Sequence, residues 1–588
     1  MNILGISGLA NALPFKQEHW PSLDSREYRI AQGYDAAAAL ICRGTLTGAA
    51  AEERFSRCKH TGQFPIGAAS YCLDEQGIGI HDVDEIAHGF DYSAYKELYS
   101  LDPVSAEAYR KVFSRKALLQ QIDRHFPGFP HDRVHQVGHH LAHAASAYFT
   151  SGWDECLVAV IDAMGETQSA TVYEARSGRL EKLHEISANH SIGILYSLVT
   201  LHLGFDFNSD EYKIMGLAPY GDPERYARFF REEVQLLDDG SIRIPMLGLN
   251  RTRDARENYT ATRQYLEERL IPARPPDGSL ADEHRDVAAA LQDCLERVVF
   301  HICGHFRTAT GLRRLGLAGG VALNCTANGK LIRSGLFDEV YIQPVAGDDG
   351  VAYGAALYRA SVRGEALNAR FPTPLFGPSS STQQIEAVLG EWPDRLEVVR
   401  FGTLPETCAD AAALIAQGKV IAWYRGRMEY GARALGNRSI LADPGHPEMR
   451  NRINSMVKKR EAFRPFAPAV SLEQVHHWFD VAPMTELPYM ISTVDVRERF
   501  RSELPAVTHV NGSARVQTVS SRDNREFHVL LKAIGTLTGR DMVLNTSFNV
   551  KGQPIVNTPH EAIETFLNTG IDFLFLENCR IARKQVTQ

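Results

Sequence analysis

Strand-length apolar runs alternate with helical stretches along much of this chain. Ile3-Leu4-Gly5-Ile6 reads as a first buried strand. Leu157 to Ile161 reads as a second, ending at Asp162, and Leu315 to Ala318 as a third, ending in Gly319-Gly320. Val420 to Tyr424 reads as another, followed by a basic, glycine-containing segment. Such runs, separated by helical stretches, predict α/β architecture. Open α/β sheets place ligands at strand ends, where these Asp, Gly and Arg residues fall; each of them can equally serve only a turn. The clearest break is NARFPTPLFGPSSST, residues 368–382, where three prolines and a serine run predict a linker or domain edge. The expected division is residues 1–366, a linker region 367–395, and residues 396–588.

Composition narrows the class. At about 100–200 residues per domain, 588 residues leave room for three to five domain-sized units. A hydrophobic fraction of 44% with 23% charged residues excludes wholesale disorder. No apolar run reaches the roughly 18 residues of a membrane span, and Met1 to Gly5 lacks a basic region before an apolar stretch. No membrane segment and no secretory leader are therefore expected. Nine cysteines without a Cys-x-x-Cys pair argue against a disulfide framework and a thiolate zinc site. The expectation is a cytoplasmic protein with reduced thiols. A net charge of −8 argues against a general nucleic-acid binder.

Several segments carry chemistry. His139-His140-Leu141-Ala142-His143 opens a run, Ala144-Ala145-Ser146-Ala147, that favours helix. On a helix His139 and His143 share one face, and two imidazoles so spaced can chelate one divalent metal. The alternative is a pair of surface or hydrogen-bonded histidines. Asp162 at its strand end and the pair Asp348-Asp349, just before a small-residue helix, are candidate carboxylate ligands. Helix N-capping is the other use of the aspartate pair. Two His and two carboxylates suit iron(II), manganese or zinc. In Leu317 to Asn324 two glycines between strand and helix let backbone N–H groups approach a phosphate. The spacing matches neither a Walker A loop nor a dinucleotide fingerprint, and a tight turn is the other reading.

From Ile421 to Phe466 ten Lys/Arg stand against four acids, a local balance of +6. Arg425-Gly426-Arg427 and the stretch Gly431 to Arg438 interleave arginine with glycine and small residues. Arginine forks bind phosphate bidentately, so a polyphosphate or acyl-phosphate pocket is expected here rather than a solvated basic face. Asn545-Thr546-Ser547-Phe548-Asn549 follows the strand Met542-Val543-Leu544 and offers amide and hydroxyl groups to a ribose, a phosphate or a turn.

In these segments the chain resembles the O-carbamoyltransferase family that includes NodU and the nebramycin-forming antibiotic carbamoyltransferases. The similar stretches are Ala51 to His60 (AEERFSRCKH), His139 to His143, Lys213 to Gly221 (KIMGLAPYG), Ala318 to Asn324, Gly426 to Asp443, Arg460 to Pro468 (REAFRPFAP) and Asn545 to Val556. They span roughly residues 3 to 583. The resemblance implies an actin/Hsp70-like N-terminal domain, a duplicated ribonuclease H-like fold, followed by a YrdC-like α/β C-terminal domain. The second would join carbamoyl phosphate to ATP, giving carbamoyl-adenylate and pyrophosphate. The first would hold iron(II) and pass the carbamoyl group to a hydroxylated small-molecule acceptor, a natural product. ATP would bring Mg2+; neither nucleic acid nor membrane is an implied partner. The implied metal ligands are His139, His143, Asp162 and Asp348. The implied adenylate contacts are Gly193, Gly319, Gly320 and Asn324 and, more remotely, Lys213. The implied ATP and carbamoyl-phosphate contacts are Arg433, Lys458, Arg464 and Arg515, with Asn545 and Asn549 toward the nucleotide.

One departure concerns the acceptor base. Family members commonly read His-Asp-Ser/Ala-Ala near the N-terminus, and that His is the proposed base. This chain reads Gly33-Tyr34-Asp35-Ala36-Ala37, with a longer stretch from Leu9 to Gln32 before it. Tyr, with an ordinary pKa of about 10, is a poor base at neutral pH. Tyr34, Asp35 and Asp162 are therefore carried as catalytic candidates, with Asp35 or His19 as a substitute base, though neither follows from spacing. Threonylcarbamoyl transfer to tRNA lacks a separate basic extension here. Hydrogenase-maturation carbamoyltransferases carry zinc-finger cysteines absent from this sequence. A non-catalytic nucleotide-binding module would leave the histidine pair and the basic segment unexplained.

Overall fold

The computed structural model describes residues 1–367, 371, 373–458 and 461–584. Residues 368–370 and 372 of the proline-rich stretch, and Lys459 and Arg460 of the basic run, lie outside the described residues. The chain divides into two compact units, Met1–Ser56 with His60–Phe371, and Arg57–Lys59 with Pro372–Gln588. The stretch 367–395 contains a helix, Thr382–Leu389, whose N-terminus is capped by Ser381. Its Ile385 and Leu389 are buried in the second unit's core.

The first unit holds two five-stranded sheets of the same design. One contains β1 (Asn2–Ile6), β2 (Ala37–Cys42), β3 (Thr45–Ala51), β4 (Glu85–His88) and β5 (Val134–Gln136), in the order β3-β2-β1-β4-β5. β2 runs antiparallel to both β1 and β3; β1, β4 and β5 run parallel. The other contains β6 (Glu155–Gly165), β7 (Gln168–Arg176), β8 (Arg179–Ser187), β11 (Arg314–Ala318) and β12 (Glu339–Ile342). Its order, β8-β7-β6-β11-β12, repeats both the sequence and the directions of the first. A two-stranded pair, β9 (Gln235–Leu236) and β10 (Ile242–Arg243), lies between β8 and β11 in the chain. The apolar runs read from the sequence are the central strands β1, β6 and β11. Parallel strands covered on both faces need continuous apolar side chains, and Cys156 to Ile161 are all buried.

Two helices join these sheets. His139–Ser151 packs on β6 and β11, Asp349–Val362 packs on β1 and β2, and the two pack on each other. Their approach is backbone to backbone. A Cβ at Gly5 would lie 1.9 Å from the Ala352 carbonyl oxygen, and one at Gly354 would lie 1.9 Å from that of Ala142. Glycine is required at both places because any side chain would push the layers apart. Arg359 ties the second helix to β4 with two hydrogen bonds to buried Glu85, 2.9 and 3.1 Å.

The second unit is built on one eight-stranded sheet. Its strands are β13 (Leu396–Arg400), β14 (Ile421–Tyr424), β15 (Arg438–Ala442), β16 (Ala467–Ser471), β19 (Gln517–Val519), β20 (Met542–Ser547), β21 (Phe573–Leu576) and β22 (Cys579–Arg583). The order is β13-β22-β21-β14-β15-β20-β16-β19, and a small pair, β17 (Val494–Asp495) with β18 (Ser513–Ala514), stands apart. Successive side chains alternate between two cores, as the strand period requires. Ile421 and Trp423 join Phe527 and Leu530 on one face; Ala422 and Tyr424 join Phe548 and Leu544 on the other. Among the described residues no helix is long and apolar enough to cross a membrane.

Candidate functional site

The helix His139–Ser151 begins directly after Gly138, and buried Glu166 secures its first turn. The Glu166 carboxylate accepts the His139 backbone N–H at 3.0 and 3.2 Å and that of Asp91 at 2.8 Å. Burial pushes the Glu166 carboxyl up to about 7. His139 and His143 project from one face, their Nε2 atoms 3.2 Å apart. Asp162, at the end of the apolar core of β6, and Asp348, which opens the helix Asp349–Val362, complete the set. Asp162 Oδ2 and Asp348 Oδ1 each lie 3.4 Å from His139 Nε2 and 3.7 Å from His143 Nε2. One donor atom from each of the four residues falls within 4.8 Å of all the others.

These spacings fit a single ion. Donors about 2.1 Å from a common centre stand roughly 3.0–3.4 Å apart in octahedral or tetrahedral arrangements. Both imidazoles are completely buried, and an N/O donor set of this kind suits iron(II), manganese or zinc. Neighbouring groups fix the ligands. His139 Nδ1 meets the Gly89 carbonyl at 3.3 Å, turning Nε2 toward the centre, and Phe90 stacks on its ring at 4.4 Å. Asp162 Oδ1 accepts the Ala163 and Gly320 N–H groups at 2.8 and 3.0 Å, leaving Oδ2 for the histidines. Burial opposes charge on His139, but the Asp348 and Asp162 carboxylates outweigh it and hold the imidazole well above its ordinary value. Burial likewise opposes charge on Asp162, yet the neighbouring imidazoles hold its carboxyl far below the ordinary carboxylate range. His140 points away: its Nδ1 meets Thr171 Oγ1 at 2.7 Å, and burial pushes its pKa down to about 3.

A second constellation is assembled by the register of the large sheet. Ser439 pairs with Ser547, Ala467 with Asn545, and Ala469 with Gln517. The start of β15, the end of β20 and the starts of β16 and β19 therefore share one edge. Arg433, Arg464 and Arg515 sit shortly before β15, β16 and β19, and Asn545 and Asn549 lie at and beyond the end of β20. Lys458 Nζ donates to the Ser547 carbonyl at 2.5 Å, the Asn549 carbonyl at 3.0 Å and Asn549 Oδ1 at 2.7 Å. Asn545 Nδ2 donates to Gln517 Oε1 at 2.9 Å and the Ala434 carbonyl at 3.3 Å, and Gln517 donates to the Leu435 carbonyl at 2.8 Å. Buried Glu429 organises the same loop by accepting the N–H groups of Leu435, Asn437 and Arg438 at 2.7, 2.8 and 3.2 Å. Cations thus gather at a sheet edge ordered by amides and one carboxylate.

Two family models cover most of the chain: carbamoyltransferase N-terminus over residues 30–357 and carbamoyltransferase C-terminus over 412–583. The chain belongs to the NodU-type carbamoyltransferase family. The nodulation protein NolNO of Sinorhizobium fredii is 38% identical over 560 residues, 94% of this chain and 79% of that protein. The nodulation protein NolO of Bradyrhizobium diazoefficiens is 43% identical over 74% of this chain and 77% of its own length. A 3'-hydroxymethylcephem-O-carbamoyltransferase of Amycolatopsis lactamdurans is 37% identical over 43% of this chain and 46% of its own.

In this carbamoyltransferase the residues named from sequence fall in distinct places. Gly193 and Gly320 lie against Asp162, and Gly319 against the backbone of its neighbour Ile161. A Cβ at Gly193 would lie 2.6 Å from the Asp162 carbonyl oxygen, and one at Gly320 would lie 2.8 Å from Asp162 Oδ1. Asn324 caps the helix Cys325–Arg333 and exchanges two side-chain hydrogen bonds with Gln292, 2.9 and 3.0 Å. Lys213 pairs with Asp210 at 2.8 Å. Arg464 approaches Glu461 at 3.5 Å. The Tyr34 hydroxyl donates to the Tyr28 carbonyl at 2.8 Å, and Asp35 meets His60 Nδ1 at 2.7 Å. Sequence reasoning did not single out Glu166, Phe90, Gln292, Glu429 or Gln517. Glu166 follows the Asp162 strand directly and was the one within reach of local pattern; the others act across long stretches of chain.

Proposed function

We propose that this carbamoyltransferase joins carbamoyl phosphate to ATP in its C-terminal unit and passes the carbamoyl group to a hydroxyl of a small-molecule acceptor in its N-terminal unit. The observation that carries the reading is the convergence of His139, His143, Asp162 and Asp348 in a chain of this family. The duplicated five-stranded sheets support an actin/Hsp70-like reading of residues 1–366. The C-terminal unit is read as YrdC-like. The A. lactamdurans relative supports a hydroxylated natural-product acceptor.

Adenylate formation needs charge stabilisation and alignment more than covalent catalysis. Arg433, Lys458, Arg464 and Arg515 would offset the charge of ATP and carbamoyl phosphate, with Asn545 and Asn549 toward the nucleotide; ATP would enter with Mg2+. In the N-terminal unit, His139, His143, Asp162 and Asp348 would hold a divalent ion, iron(II) by family resemblance, which supplies Lewis-acid polarisation of the carbamoyl carbonyl. Gly193, Gly319, Gly320 and Asn324 would contact the adenylate, with Lys213 more remote, as the family resemblance implies. The test is ATP–pyrophosphate exchange. Exchange that depends on carbamoyl phosphate is expected from purified protein; none from folded protein refutes the reading.

A further inference from the structure

Carbamoyl transfer to a hydroxyl needs a base, because the acceptor proton is lost as the new C–O bond forms. Of the three residues carried from sequence for that task, Tyr34 and His19 are otherwise engaged, and Asp35 is paired with a histidine. The Tyr34 hydroxyl donates to the Tyr28 carbonyl. His19 meets the Phe15 carbonyl at 3.0 Å and Glu107 Oε2 at 3.3 Å, and its ring stacks on Phe15 at 4.0 Å. A different histidine is arranged for the work. His60 Nδ1 lies 2.7 Å from Asp35 Oδ1, and its backbone N–H donates to Glu53 Oε2 at 2.9 Å. Asp35 and His60 both hold left-handed backbone, φ 53° and 56°, a conformation that costs energy in residues with side chains and recurs at functional sites. With Nδ1–H donated to the carboxylate, the imidazole carries its lone pair on Nε2, the tautomer a general base requires.

The dyad lies by the end of β1, next to β4, and the residue that follows β4, Gly89, faces His139. Ser7, just past β1, bonds Ala37 in both directions: its N–H donates to the Ala37 carbonyl at 3.0 Å, and its Oγ accepts the Ala37 N–H at 3.1 Å. Asp35 is thereby fixed beside the end of β1. Gly89 donates to the Ile6 carbonyl at 3.0 Å, and its own carbonyl faces His139 Nδ1.

We infer that His60 is the acceptor base of this carbamoyltransferase and that Asp35 is the residue that positions it. His60 Nε2 takes the hydroxyl proton while the acceptor oxygen bonds to the carbamoyl carbon. The bond from that carbon to the phosphate oxygen breaks, AMP leaves with the electron pair, and the proton passes from the imidazolium to solvent. This rests on the transfer reaction proposed above.

The test supplies carbamoyl-adenylate to the metal-loaded full-length enzyme, with water and glycerol as hydroxyl probes and hydroxylamine as a nucleophile that attacks before it loses a proton. His60→Gln is expected to lower hydroxyl transfer about 100-fold or more, leaving hydroxyurea formation within about threefold of wild type. Asp35→Asn should show the same split, less deeply. Equal loss with both nucleophiles, unchanged hydroxyl transfer, or a wild-type enzyme no faster than solvent would overturn the assignment. So would a second bound metal that His60→Gln removes, since His60, Asp35 and Glu53 could also hold an ion. Carbamoyl phosphate-dependent pyrophosphate exchange in the same preparations separates the two ideas: its absence from wild type sinks the proposed function, whereas its loss on His60→Gln alone sinks this inference.

Discussion

Asp162 performs two tasks with its two oxygens, and two substitutions separate them. Oδ1 satisfies the partly buried N–H groups of Ala163 and Gly320; Oδ2 faces both imidazoles. Asp162→Asn keeps an acceptor for the backbone and removes the anionic ligand. Asp162→Ala removes both. A buried N–H stripped of its acceptor costs about 1–3 kcal/mol, and partial burial puts both of these at the low end, so the alanine variant should be about 2 kcal/mol less stable than the asparagine variant. Both should lose metal affinity by at least about 100-fold, roughly 3 kcal/mol, since substitutions of mere supporting residues already cost up to that much. Metal content after equilibrium dialysis reads the first task. Urea unfolding in excess chelator, with ion binding removed from the comparison, reads the second. An asparagine variant with full metal content at wild-type affinity would refute the ligand assignment. Equal unfolding midpoints for the two variants in chelator would refute the hydrogen-bond reasoning.

Three further outcomes follow from the geometry. Gly354→Ala forces a methyl against the Ala142 carbonyl and should destabilise the first unit by about 1–3 kcal/mol while lowering metal occupancy; unaltered urea unfolding would show that the helices can separate freely. Arg464→Ala should abolish pyrophosphate exchange yet leave transfer from supplied carbamoyl-adenylate largely intact, and equal loss of both would contradict two separate sites. Burial works to raise the Glu85 carboxyl, but hydrogen bonds from Arg359 and Arg363 prevail and hold it below the usual range. Its ion pairs therefore contribute stability above the ordinary glutamate pKa of about 4.3, and that stability is lost as pH falls through the depressed value. Glu85→Gln should flatten this acid limb in unfolding midpoints measured against pH.

Much of the first unit was legible because its information is local. Continuous apolar runs marked β1, β6 and β11, and a spacing of four brought His139 and His143 onto one helix face. Asp162 stood out because an acid ended an apolar run. What stayed hidden acts across the chain. Gly319-Gly320 was read on local grounds as an anion cradle or a tight turn, and in the fold Gly320 donates its N–H to Asp162 on β6, far off in the chain. The approach of Gly354 to Ala142 depends on helix docking that no periodicity encodes. The His60–Asp35 pair needs two unfavourable backbone conformations to meet, which no residue preference announces. The basic run was visible as charge, but only strand register revealed that Arg433, Arg464 and Arg515 precede strands starting at one edge.

The repeat within the first unit gives its candidate metal ligands a mechanical meaning. Asp162 lies on β6 of one copy of the five-stranded design, whereas Asp348 opens the helix seated on the other. An ion shared between them would be a clasp across an internal duplication. Occupancy would then strengthen the association of the halves, by about 4 kcal/mol when free metal exceeds its dissociation constant a thousandfold. Starving the protein of metal would loosen that seam as well as idle its chemistry, so proteolytic nicking between the copies should report metal supply.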